Sequence, residues 1–367
     1  MPLLRRSRPA ILIPHEKDPL SGHPGHLTEE QERILADLKA DLEAEGYYKS
    51  SDPEKDGQPT YDDPCILRFL RARKFNFDDS KLMFVNYVNW RKEFQVDQKY
   101  YEWTMRAESE KSAVNKLYPT YYHKIDKDGR PVYIEQLGKL DVYKLFEITT
   151  PDRVIERLVV EYEKLLRERL PVASRERGEL VETSCTIMDL SGVGLTSFYS
   201  ISKHIQRASY ISQNYYPETM GKFYIINAPW GFSTIWSVAK RWLDEVTVSK
   251  IGILDYNYKQ TLLQQIPPYS LPSEFGGTCT CSSDGGCLMS DAGPWKDQPL
   301  EGEACGHTNV PLAKVGKHVE NGDAKDLGVG SKVDGPASAL KIKENGTAGK
   351  DGVVKAADKV TEVPASS

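Results

Sequence analysis

Between Glu182 and Asp255 the chain alternates between two kinds of apolar segment. ETSCTIMDL, GKFYIINAP and VTVSKIGILD have strand character, while SFYSISKHIQRASYISQ and GFSTIWSVAKRWL have helical spacing. Strands and helices alternating at this spacing predict βαβ units and a largely parallel sheet. Such a sheet is covered on both faces, so its strands should be almost wholly apolar. ETSCTIMDL departs from that rule. Side chains alternate between faces along a strand, so Ser184, Thr186 and Met188 share one face, with the two hydroxyls about 7 Å apart. Hydroxyls on a covered face need partners. Either they bond to backbone or buried water, or that face lines a ligand cavity, and the residues alone leave both readings open.

The strand-like run VTVSKIGIL raises the same question with a charge. Thr247 and Ser249 are expected on one face and Lys250 on the other. A lysine in a covered sheet needs an anionic partner or a way out to solvent. It fits a solvated edge strand, an ion pair with Glu218 after the Tyr-Tyr-Pro turn, or a polar pocket that receives a phosphate or a polyol. Further upstream, Arg68, Arg71, Arg73 and Lys74 cluster on LRFLRARKF.

In GFSTIWSVAKRWL, Phe232, Ile235, Trp236, Ala239, Trp242 and Leu243 form one continuous apolar face at helical spacing. A helix covering the core explains the pattern. So does a helix that dips into a bilayer interface, given two tryptophans beside Lys240 and Arg241. The second reading needs hinges, for which Pro229, Gly231 and the Asp244–Glu245 junction are candidates.

The 367 residues, 39% hydrophobic, can bury a sizeable core, and a net charge of −5 gives no reason to expect nucleic acid as a partner. No apolar run approaches a membrane span. The basic start contains Pro2, Pro9 and Pro14, which argue against an amphipathic targeting helix. Six cysteines show no disulfide pattern, so a reducing cytosolic setting is expected. Cys279-x-Cys281 with Cys287 offers metal-ligand types, but His307 and His318 are not spaced as in common zinc sites. The Gly-rich segment carrying these cysteines is therefore expected to be unstructured, with no metal. No nucleophile elbow, phosphate loop or metalloprotease motif appears, so no catalytic residue is assigned. Asp189 is expected to cap the turn to Ser191-Gly192.

Residues 1–26 read as a flexible N-terminus and 27–105 as a helical layer. That layer opens with a Thr28–Gln31 capping box and has further helices starting at Asp63-Pro64 and at Asp78 or Asp79. Residues 106–304 hold a hairpin around Lys127-Asp128-Gly129, a helix from Pro151 to Leu170, and the alternating segments. Residues 305–367 lack aromatic residues and periodicity and read as a disordered tail.

LRFLRARKF, YYHKIDKDGRPVY, ETSCTIMDL, ISQNYYPE, FYIINAP, VTVSKI and LPSEFGG, with GPW at Trp295, follow one another in an order that resembles the CRAL-TRIO lipid-binding family. The likeness covers about residues 27–304 and is greatest to the fungal phosphatidylinositol/phosphatidylcholine transfer proteins. It implies an α/β fold in which an N-terminal helical layer precedes a mainly parallel sheet flooring a lipid cavity closed by a gating helix. It implies exchange of single phospholipids between membranes, in support of phosphoinositide synthesis and Golgi secretory trafficking. A lipid-sensing adaptor, or a carrier of another ligand such as a sterol, is the alternative.

By position, the resemblance assigns the phosphatidylinositol headgroup to Arg73, Glu218, Thr247 and Lys250. It assigns the phosphatidylcholine headgroup to Ser184 and Thr186 with Tyr122, Tyr162 and Tyr133. Phe232, Ile235, Trp236, Trp242 and Leu243 would belong to the gating helix, and Gly277 to a structural turn. The implied protein is a monomer with no cofactor beyond its bound phospholipid. It would be cytoplasmic, touch Golgi or endosomal membranes transiently, and be linked functionally to a phosphatidylinositol 4-kinase. Thr219 and Gln136 depart from the family pattern of arginine and glutamate, and both are expected near the choline region.

Overall fold

The structure, a computed structural model, describes residues 18, 20–48, 61–105, 108–193 and 195–296, and the side chains at 104–111 and 195–202 are left aside. The expected flexible N-terminus lies mostly, and the expected tail wholly, outside these residues. In the helical layer, α1 (Glu29–Ala44) opens with the anticipated capping box. Gln31 N donates to Thr28 Oγ1 at 3.3 Å, and Thr28 N donates to Gln31 Oε1 at 3.0 Å. Asp62 caps α2 (Asp63–Ala72), with Pro64 in its first turn. α3 (Phe77–Phe94) starts slightly before Asp78 because Asn76 Oδ1 accepts from Asp79 N at 3.0 Å. Leu38, Leu42, Ile66, Phe69, Leu70, Phe84 and Tyr87 close the core of this layer. α4 (Val96–Met105) and α5 (Glu108–Leu117) lead into the sheet.

The sheet has the order β1 (Thr120–Ile125), β2 (Pro131–Glu135), β3 (Ser184–Asp189), β4 (Met220–Ile226), β5 (Ile251–Ile253). β1 and β2 form the expected hairpin, and every later neighbour is parallel. Between β2 and β3 run α6 (Val142–Ile148) and α7 (Pro151–Lys164), the latter capped by Thr150. The helix does not end at Leu170 as expected. A π-helical turn, Leu165–Arg169, joins it to α8 (Leu170–Arg177), with Leu170 N bonded to Leu165 O. Pro171 has no amide and its ring would crowd an ordinary turn, and the wider turn accommodates it.

α9 (Leu195–Tyr215) connects β3 to β4. α10 (Phe232–Ala239), a 3₁₀ turn (Lys240–Trp242) and α11 (Glu245–Ser249) connect β4 to β5. Here VTVSKIGILD departs from the reading as one strand. Asp244 caps a helical turn by accepting from Thr247 N at 2.8 Å, so only Ile251–Ile253 is extended. The local cap outweighs the β propensity of Val246, Thr247 and Val248.

α12 (Tyr258–Gln265) follows, then the turn at Gly276-Gly277. A Cβ on Gly277 would lie 1.9 Å from the Leu271 carbonyl oxygen, so only glycine fits. The cysteine-bearing segment, expected to be unstructured, is folded: it forms a 3₁₀ turn at Ser282–Asp284 and α13 (Cys287–Ser290). It is held against β1, where Lys124 N donates to Ala292 O at 2.6 Å. Covering this sheet edge protects unpaired backbone groups, which a reading of local composition does not register.

The two faces of the sheet differ. Tyr121, Val132, Ile134, Cys185, Ile187 and Ile226 pack solidly with Tyr258, Leu262, Ile266 and Phe275. The opposite face, carrying Glu135, Met188, Phe223 and Ile225, borders a cavity. Beside it, a buried polar cluster ties the helical layer to α7. Arg91 Nη1 donates to Glu163 Oε1 at 2.7 Å, Arg167 Nε to Glu163 Oε2 at 2.8 Å, and Tyr216 Oη to Glu163 Oε1 at 2.7 Å.

Candidate functional site

The cavity holds about 250 Å³ and opens partly to solvent. Its floor comes from the sheet face just described, and its walls from Leu158, Ile205 and Ala208 on α7 and α9. The lining is mainly apolar, so the contents must be apolar over most of their length.

Its roof is the helix singled out from the sequence. Phe232, Ile235, Trp236, Ala239, Trp242 and Leu243 all line the cavity. The helix starts at Gly231, whose φ of 83° suits glycine. Its far end is tied to α9 by one side chain: Gln213 Nε2 donates to Trp242 O at 2.5 Å, and Asp244 N donates to Gln213 Oε1 at 3.1 Å. Trp230, just ahead of the helix, is 96% exposed, and Val238 and Val246 also face outward.

A second, polar opening of about 720 Å³ adjoins the cavity and shares Ser212, Gln213, Met220, Trp242 and Thr247 with it. Arg73, Glu218, Thr247 and Lys250, drawn from three separate parts of the sequence, all line it. Lys250 Nζ pairs with Glu218 Oε2 at 3.1 Å, so the ion-pair and pocket readings of Lys250 hold together. Glu218 takes a left-handed backbone (φ 56°), uncommon for a residue with a side chain. Thr247 Oγ1 donates to Asp244 Oδ2 at 2.5 Å. Arg73 Nη1 donates to the Ala72 carbonyl at 3.2 Å, and among the described residues Arg73 has no ion-pair partner. Arg71 and Lys74 also line this opening, as do Asp244 and Glu245, and Arg71 is paired with Glu182 at 3.0 Å.

The five residues assigned to choline are more scattered. Tyr122 and Tyr133 lie with ring centroids 4.8 Å apart. Tyr162 stacks on Tyr216 at 4.5 Å and donates to Ser212 Oγ at 2.9 Å. Tyr162 lines the large cavity, whereas Tyr122 lines a smaller neighbouring one with Arg157, Glu161 and Arg169. Of the face shared by Ser184, Thr186 and Met188, only Met188 lines the large cavity among the described residues. Ser184 and Thr186 are buried, and Ser184 Oγ donates to Thr219 O at 3.4 Å. Thr219 thus sits between the two regions. Gln136 does not lie near the tyrosines as expected: its amide donates to Glu274 Oε2 at 3.1 Å, and Glu274 also accepts from Tyr121 on the solidly packed side of the sheet.

Several polar residues of the cavity escaped the sequence reading. Glu135 is half-buried and accepts from Tyr118 Oη, and Arg157 donates to Asn115 and Thr120. Burial pushes the Glu135 carboxyl up, against the pull of Tyr118 and Arg157. Its signal was available, since a glutamate on a strand of a covered sheet is as anomalous as the hydroxyls of β3. Asp189 plays the expected local part: Ser191 N and Asn227 Nδ2 donate to its Oδ1 at 2.9 and 2.8 Å.

Residues 115–277 match the family model described as the CRAL/TRIO domain, and residues 34–86 match that of its N-terminal domain. The chain is 52% identical over 277 residues to the Sec14 cytosolic factor of Schizosaccharomyces pombe, covering 76% of this chain and 92% of that one. It is 49% identical over 289 residues to the SEC14 cytosolic factor of Kluyveromyces lactis, covering 78% and 92%. A phosphatidylinositol/phosphatidylcholine transfer protein of Arabidopsis thaliana, SFH4, is 38% identical over 298 residues, 79% of this chain and 46% of that one. The crystal structure of Sfh5 shares the fold, with a TM-score of 0.54 at 20% sequence identity over 68% of this chain and 88% of that one. With a mainly parallel sheet flooring a roofed apolar cavity, and with both fungal Sec14 relatives matched over 92% of their length, the chain belongs to the CRAL-TRIO family.

Proposed function

We propose that this protein carries single phosphatidylinositol and phosphatidylcholine molecules between membranes, as a non-enzymatic transfer protein. One observation carries the reading: a roofed apolar cavity adjoins a polar opening in which Arg73, Glu218, Thr247 and Lys250 meet. Two acyl chains hold a phospholipid in a bilayer by on the order of 25 kcal/mol, at about 0.8 kcal/mol per buried CH₂. A carrier must offer an apolar volume of similar depth and expose it only at the membrane. The cavity suits the chains, and the opening suits an anionic phosphodiester bearing a polyol. The names of the relatives, Sec14 cytosolic factor and phosphatidylinositol/phosphatidylcholine transfer protein, support the choice of phospholipids.

For the choline headgroup, the rings of Tyr122 and Tyr133 with the carboxylates Glu135 and Glu161 have the chemistry that attracts a quaternary ammonium. Ser184 and Thr186 would receive the phosphate from the strand side. In this reading α10 is the gate. Gly231 and the Asp244 cap act as hinges, and the two Gln213 hydrogen bonds hold the gate shut. Trp230, Val238 and Val246 meet the bilayer interface during brief contact. The protein would work in the cytosol, visit Golgi or endosomal membranes, and present phosphatidylinositol to a phosphatidylinositol 4-kinase in support of secretory trafficking.

Replacing Trp236 and Trp242 together by serine is expected to slow transfer of both lipids between vesicles by at least about tenfold, because each large apolar side chain contributes roughly 1.5–3 kcal/mol when buried. Vesicle-to-vesicle exchange of labelled lipid measures this. An unchanged rate in the folded double variant would assign α10 to the static core and remove the gate.

A further inference from the structure

On the other side of the sheet from the cavity, His123 of β1 meets Cys279, Cys281 and Cys287 of the edge-wrapping segment. Their ligating atoms all lie within 4.8 Å of one another. Cys279 Sγ and Cys281 Sγ are 3.6 Å apart. A tetrahedron with metal–sulfur bonds of about 2.3 Å has sulfur–sulfur edges of about 3.8 Å, so this pair already has the spacing of two ligands on one ion.

The histidine supplies an independent observation. His123 is fully buried, and neither ring nitrogen has a hydrogen-bond partner. A buried imidazole with both nitrogens unpartnered is costly unless something occupies one of them.

The surrounding charges fit a dication. Lys124 takes a left-handed conformation (φ 55°) at a break in the β1–β2 register, and its Nζ donates to Cys279 Sγ at 3.2 Å. Three thiolates gathered this closely would repel one another. A bound dication would leave a net charge of −1, which Lys124 neutralises.

We propose that His123, Cys279, Cys281 and Cys287 form a structural zinc site that clamps the C-terminal segment of the lipid-binding domain onto the free edge of the sheet. Three thiolates and one imidazole form a donor set that selects zinc over hard cations, and four protein ligands leave no open catalytic position. The clamped segment reaches the opposite face. There Asp291 pairs with Arg169 at 3.1 Å, and the Trp295 ring lies 6.3 Å from that of Tyr122. The clamp thereby steadies one wall of the tyrosine region without touching the cavity. This inference stands apart from the choice of lipid.

The test uses the full chain, purified without added metal or chelator, and a separate aliquot has its thiols trapped by alkylation at lysis to report disulfides. Elemental analysis is expected to find one zinc per chain, and cobalt(II) exchanged into the site should give the thiolate charge-transfer and d–d absorption of a tetrahedral centre. Cys281→Ser, at a half-buried position, should weaken zinc binding by at least about tenfold and abolish the cobalt spectrum, with phospholipid binding retained. Three results would overturn the proposal: wild-type protein that is metal-free and takes up neither zinc nor cobalt after reduction, a disulfide among Cys279, Cys281 and Cys287 in the trapped protein, or zinc affinity unchanged in both Cys281→Ser and Cys287→Ser.

Discussion

Lys250→Ala is expected to lower phosphatidylinositol transfer about ten- to hundredfold while leaving phosphatidylcholine transfer near the wild-type rate. The estimate rests on a charge-assisted hydrogen bond to a phosphate or hydroxyl, worth roughly 1.5–3 kcal/mol. Lys250 Nζ has the Glu218 carboxylate at 3.1 Å. An inositol phosphodiester entering beside Arg73 would share that ammonium, and Glu218 would turn to the polyol hydroxyls. Lys250 lines the polar opening and is absent from the walls of the acyl cavity, so the chains of either lipid should pack as before. The reciprocal change, Ser184→Ile with Thr186→Ile, should reduce phosphatidylcholine transfer and spare phosphatidylinositol. Equal loss of both lipids in folded Lys250→Ala would refute separate headgroup sites.

Glu163→Ala should destabilise the protein by about 3–5 kcal/mol, the usual cost of removing one partner from a buried ion pair. Glu163 is completely buried and accepts from Arg91, Arg167 and Tyr216. Without it two guanidinium groups stay in a poorly solvated site. Asp97 still faces both, since Arg91 Nη2 donates to Asp97 Oδ1 at 2.7 Å and Arg167 reaches the same oxygen, but Asp97 is half-exposed and compensates only in part. Denaturant unfolding would measure the loss. Because α3 and α7 meet here, the same variant should detach the helical layer at lower denaturant than the sheet. A loss below about 1 kcal/mol would mean that Asp97 and water suffice, and that the layer is held by apolar packing alone.

The roof helix was legible because its apolar face keeps a helical period and the structure uses that whole face at the cavity. The cavity floor was legible in kind, through polar residues on a strand that should have been apolar. Its exact lining was not: Met188 reaches the cavity, while Ser184 and Thr186 are covered. How far a strand runs past a cavity depends on the helices above it. The meeting of Arg73 and Glu218 with Lys250 rested on resemblance, since no local pattern joins positions so far apart. Lys250 itself was misjudged as a strand residue because the cap at Asp244 competes with β propensity over only a few residues. The cysteines after Gly277 show the same limit. Their composition resembles a loose loop, and the strand they pack against, β1 with His123 and Lys124, lies some 150 residues earlier at the edge of the sheet.

The central claim is that the space beneath α10 holds the chains of one phospholipid. Native mass spectrometry of the purified, folded protein, with extraction of its bound lipid, tests this directly. The expected result is one phospholipid per chain, drawn from phosphatidylinositol and phosphatidylcholine. A folded protein that is lipid-free as isolated and takes up neither lipid from vesicles would contradict it.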